Sequence, residues 1–75
     1  MNWSVITINP QGHPLTQPAS CFNEAWLLSQ PPACQANQWV TPTMEEVNTR
    51  FNTGAIHVTV AERADGTIRI IHRII

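Results

Sequence analysis

Apolar and polar positions along the chain mark five regular elements. Trp3 to Ile8 is β-branched and aromatic, and Asn9-Pro10-Gln11-Gly12 closes it, which predicts a strand followed by a turn. Its alternating sets are Trp3, Val5, Thr7 and Ser4, Ile6, Ile8. Neither set is plainly polar, so the strand is expected to be central or covered on both sides. Phe22, Ala25, Trp26 and Ser29 fall at helical spacing, with Leu27 and Leu28 alongside. Ser20 is placed to cap that helix, Glu24 suits the positive end of its dipole, and Pro31-Pro32 stops it. Met44, Val47 and Phe51 form the stripe of a second helix. Thr43 and Glu46 fit its capping box, with Thr41-Pro42 as the competing start, and Gly54 fits its C-terminal stop.

The stretch from Ala55 to Ile75 predicts a β-hairpin about Arg63-Ala64-Asp65-Gly66-Thr67. A two-residue Asp65-Gly66 turn would set Val58 and Val60 on one face with Arg69 and Arg73. A three-residue Ala64-Asp65-Gly66 loop, with Gly66 left-handed, pairs Arg63 with Thr67 and Val60 with Ile70. Ile56, Val58 and Val60 then share a face with Ile68, Ile70 and Ile74, with His72 near its end. The other face carries His57, Thr59, Arg63, Arg69, Ile71 and Arg73. A one-residue slip inverts every side chain, so the pattern selects the three-residue loop. Two connections remain. Residues 10–19 hold three prolines and a glycine and are expected to be irregular, because proline lacks an N–H and turns its predecessor from helix. Residues 31–41 form a second Pro/Gln-rich connection in which Trp39 is expected to plug the edge of the core.

The expected fold is α+β, a single small domain over residues 1–75 in the order β-α-α-β-β. Its sheet would be three-stranded and mainly antiparallel, with two short helices on one face. Composition narrows what such a domain can do. Only 12% of the 75 residues are charged, there is no lysine, and the net charge is −1. Residues 1–44 carry one charge, Glu24, and the other eight lie between Glu45 and Arg73. Massed positive charge for a nucleic-acid tail is excluded. With 43% hydrophobic residues, a disordered acidic chain is excluded as well. No targeting segment and no run of about 20 apolar residues is visible, so a soluble, cytoplasmic protein with no membrane contact is expected.

Candidate chemistry is sparse. Cys21 and Cys34 could be bridged, a link of about 3 kcal/mol in the loop-entropy model, but in a cytosolic protein free thiols are the expectation. A zinc site from His13, Cys21, Cys34 and a further histidine lacks the short Cys-Cys spacing of structural zinc sites. Neither cysteine carries a recognisable nucleophile signature. Glu45 and Glu46 are accounted for by helix capping, and the three glycines form no phosphate-binding motif. No cofactor, metal or catalytic residue is assigned. The face bearing His57, Thr59, Arg63, Arg69, Ile71 and Arg73 is the candidate site, because arginines flanking an exposed aliphatic residue compose an interface. The expected function is a non-catalytic module that binds another macromolecule, a protein before a nucleic acid, with a homodimer also open to it. Its size suits a small accessory or inhibitor protein of the kind carried by phages and mobile elements. The alternatives are weak nucleic-acid binding through the hairpin arginines and a small cysteine-dependent enzyme.

Overall fold

The computed structural model describes residues 2–75. The elements run β1 (Trp3–Ile8), β2 (Pro14–Ala19), α1 (Phe22–Ser29), a 3-10 helix (Ala33–Gln38), β3 (Trp39–Val40), α2 (Met44–Asn52), β4 (His57–Arg63) and β5 (Ile68–Arg73). The five strands form one antiparallel sheet in the order β2-β1-β5-β4-β3. The expected three-stranded sheet with two helices is therefore corrected to five strands and three helices.

Both additional strands lie in segments expected to be connections. β2 is a strand in spite of Pro14 and Pro18, and the ladder explains why. The Asn9 N–H donates to the His13 carbonyl at 3.1 Å, which makes that pair hydrogen-bonded. Alternation then turns the backbone of Leu15, Gln17 and Ala19 toward β1 and that of Pro14, Thr16 and Pro18 outward. The prolines occupy the outer edge, where no donor is needed and where their lack of one blunts further pairing. β3 is only two residues long and pairs Trp39 with Arg63 and Val40 with Glu62. A strand that short leaves no periodicity to read.

β1 is central, flanked by β2 and β5. Helix α1 starts one residue later than Ser20 would cap it. Cys21 is the N-cap, its Sγ accepting from the Glu24 N–H at 3.5 Å. Glu24 reaches back to the Ser20 N–H at 3.0 Å and accepts from the Ser20 hydroxyl at 3.2 Å. Thr43 caps α2, its Oγ1 accepting from the Glu46 N–H at 3.1 Å. Both α-helices contribute to one core on one face of the sheet: Ala25 from α1 and Val47 and Phe51 from α2 pack with Val5, Ala19, Val58, Val60 and Ile71. Trp3, Phe22 and Phe51 meet edge to face, with centroids 5.1–5.9 Å apart. Such contacts add to the burial of three large rings in a domain with little core to spare. No helix among the described residues is long and apolar enough to cross a membrane.

Candidate functional site

The hairpin turn has the three-residue form. The Arg63 N–H donates to Thr67 O at 2.9 Å, the Gly66 N–H donates to Arg63 O at 3.0 Å, and Gly66 has φ +98°. Near the turn the ladder runs Ala61 to Arg69 and Glu62 to Ile68. Farther out it runs Thr59 to Ile70, Val58 to Ile71 and His57 to His72. Val60 is the extra residue between these two registers, a β-bulge. One inserted residue reverses the faces beyond it. Val60 therefore does not pair with Ile70, and Ile71 joins Val58 under the helices with no exposed surface.

The six expected partner-binding residues consequently do not share a face. His57 and Thr59 lie on the uncovered side of the sheet and are exposed. Ile71 is in the core. Arg69 and Arg73 follow Ile71 in strand parity to the helix-bearing side, and Arg63 follows Ala61. The placement of an open face bearing Arg69, Ile71 and Arg73 is thus corrected: the three arginines lie on the helix-bearing side with Ile71.

The three arginines are engaged with tryptophans. The Arg63 and Arg69 guanidinium carbons lie 5.0 and 4.6 Å from the centre of the Trp39 ring, and that of Arg73 lies 5.6 Å from Trp3. Arg69 Nη1 also donates to the Ser29 carbonyl, 3.1 Å away at the C-terminal end of α1, where a cation suits the dipole. Burial, and next the charge of Arg63, lower the Arg69 pKa from its ordinary value. Arg63 is paired with Asp65 at 2.7 Å. Hydrogen bonds from Arg63 and from the Thr67 N–H hold the Asp65 carboxyl well below the usual carboxylate range. Trp39 is buried as expected, and its Nε1 has no hydrogen-bond partner.

The opposite face is the one left bare. It presents Pro14, Thr16 and Pro18 from β2, Ser4, Ile6 and Ile8 from β1, and Ile68, Ile70 and His72 from β5. His57, Thr59 and Glu62 of β4 and Val40 of β3 continue it. Among the described residues, Glu62 at one end is the only Asp, Glu or Arg it carries. Ile6, Ile8, Ile68 and Ile70 are half-buried and Val40 is exposed. A shallow depression whose lining includes Ser4, Ile6, Pro18, His72 and Ile74, with Trp3 at its margin, opens on this face. His57 and His72, directly opposed, stack with ring centroids 4.3 Å apart and planes 18° from parallel. Ile68, Ile70 and His72 had been expected on the core side. The adjacent apolar pair Val60-Ala61, which breaks strict alternation, was the signal for the bulge that moves them.

Cys21 and Cys34 are free and exposed. Among the described residues no group of three or more His, Cys, Asp or Glu could hold a metal ion. No protein-family model matches the chain, and no curated protein or solved structure shows detectable similarity to it.

Proposed function

We propose that this chain is a non-catalytic binding module that docks another protein on its uncovered sheet face. The observation that carries the reading is the composition of that face: isoleucines, prolines, threonines and two histidines, with Glu62 at one end, while the hairpin arginines lie on the other side. Fully burying an exposed Ile gains about 1.5–3 kcal/mol, and completing the burial of a half-buried one gains roughly half of that, so several isoleucines together supply useful docking energy. A largely aliphatic face suits an apolar protein surface and offers no Lys or Arg to phosphate. The rings its strands present are the His57 and His72 imidazoles, which are already stacked on each other.

The test is site-specific photo-crosslinking in the native cell. A photo-reactive phenylalanine analogue would replace Ile6 or Ile70 on the open face and Leu27, exposed on α1, as the control. The reading expects one discrete protein adduct from the sheet positions, competed by the untagged chain and absent from position 27. Identical adducts from all three positions, or none from the sheet, would sink it.

A further inference from the structure

His57 and His72 occupy a geometry with a specific chemical use. The Arg73 N–H donates to the Ile56 carbonyl at 2.9 Å, so Ile56 and Arg73 form a hydrogen-bonded pair. The next pair inward, His57 with His72, is therefore non-hydrogen-bonded, the position at which opposed side chains come closest. Both imidazoles rise from the uncovered face, and His57 is exposed. With centroids 4.3 Å apart, the two rings would need only to turn about χ2 to aim one nitrogen each at a common ion. The nitrogens then approach the spacing that two ligands about 2.0–2.1 Å from one zinc ion require.

We propose that His57 and His72 bind a borderline divalent transition metal ion of the zinc, nickel or copper class, and that a second copy of the chain completes its coordination. The ligand class follows from the donors: neutral imidazole suits these metals, whereas magnesium and calcium demand oxygen. The second copy follows from what one chain lacks. No third His, Cys, Asp or Glu joins this pair among the described residues, and two ligands leave a tetrahedral ion half satisfied. A two-fold contact presents the same patch from both subunits, and with its axis through the histidine pair it sets one pair against the other and delivers four nitrogens. The surface around the pair allows this approach. Its neighbours on the sheet are Ser4, Thr59 and Ile70, and the face has no Asp, Glu or Arg nearer than Glu62 at the far end of β4. Nothing there repels a copy of itself, and the apolar surface adds burial. The choice of partner rests on the reading of this face as a docking surface.

Zinc titration of the intact chain tests it, followed by sedimentation velocity and by the imidazole NMR signals. Zinc is expected to convert monomer to dimer at one ion per two chains, reversibly with chelator, while shifting the His57 and His72 signals and sparing His13. His57→Asn and His72→Asn, at surface positions, should each abolish the zinc-dependent dimer with circular dichroism unchanged. His13→Asn should not. Binding at one ion per chain without dimerisation overturns the bridging proposal and leaves the docking face standing. Zinc shifts confined to His13, or a dimer indifferent to zinc, overturn the metal site. Ile70→Lys separates the two readings. It should block the dimer but keep weak zinc binding at the histidine pair, and a variant that dimerises like wild type would refute the open face as the contact.

Discussion

Arg69 lies with its guanidinium carbon 4.6 Å from the centre of the Trp39 ring while donating to the Ser29 carbonyl at 3.1 Å. One side chain thereby ties the short strand β3 and the end of α1 to the sheet. A hydrogen bond from a charged group is worth about 1.5–3 kcal/mol and a cation–π contact about 0.5–2, against which part of the desolvation must be set. Arg69→Ala is therefore expected to cost roughly 2 kcal/mol, which lowers Tm by about 10 °C in a domain of this size. Arg69→Lys retains the charge but not the planar fork and should recover part of the loss. Thermal unfolding followed by circular dichroism measures both. An alanine variant as stable as wild type would mean that the tie contributes nothing.

Ile70 and Ile71 are adjacent, yet the bulge at Val60 assigns them opposite tasks. Ile71 is completely buried between Val5 and Val58. Ile71→Val should cost about 0.5–1.5 kcal/mol and Ile71→Ala about 2–5, enough to leave a marginal domain partly unfolded. Ile70→Ala, on the uncovered face, should cost roughly 1 kcal/mol or less. Urea unfolding midpoints give the ranking. The reverse order would restore the unbulged register.

These two isoleucines also show where the sequence stops being legible. β1, α2 and the turn of the hairpin declare themselves through local chemistry: β-branched runs, the Thr43 cap, and Gly66 at positive φ. The face of the hairpin depends on one inserted residue, which alternation alone does not locate. β2 was hidden because proline is penalised for its missing N–H, and the penalty vanishes at an outer edge. Pro14 and Pro18 are four residues apart, the spacing that keeps both on that edge, but only the ladder reveals the edge. The candidate site moved with the bulge. His57 and Thr59 stayed on the open face, the arginines went to the tryptophans, and Ile6, Ile70 and His72 took their place.

Asp65 organises the turn by accepting from the Thr67 N–H at 2.9 Å and pairing with Arg63 at 2.7 Å. Its pKa is lowered in the folded chain, chiefly by the hydrogen bond from Arg63. A depressed folded pKa gives stability that is full above the unfolded value, about 3.9, and is lost as pH falls through the folded one. Stability should therefore decline in strong acid, with the Asp65 carboxyl titrating by NMR below the usual range for an aspartate. Asp65 is exposed and Arg63 only half-buried, so salt should weaken the effect. Asp65→Asn keeps an acceptor for Thr67 but not the ion pair, and Asp65→Ala loses both. The expected order of unfolding midpoints is wild type, Asn, then Ala, with the acid dependence reduced in both variants. An Asn variant that keeps the full acid dependence would remove Asp65 as its source.

Hydrogen exchange should read out the two sheet edges residue by residue. In β2 the amides of Leu15, Gln17 and Ala19 point toward β1, whereas Thr16 points outward between the two prolines. In β4, Val58 bonds to Ile71, while His57 and Thr59 turn their backbone away from β5, beyond the reach of β3, which pairs only with Glu62 and Arg63. Amides in the central strands β1 and β5 have a neighbouring strand on either side. Slow exchange is therefore expected at Val5, Ile6, Ile70 and Ile71, alternation between slow and fast along β2, and fast exchange at His57 and Thr59 beside a slow Val58. Uniform protection from His57 to Thr59 would mean that another strand covers this edge in solution. Fast exchange at Leu15 and Gln17 would mean that β2 does not hold to the sheet, and the proline-edged strand would have to be abandoned.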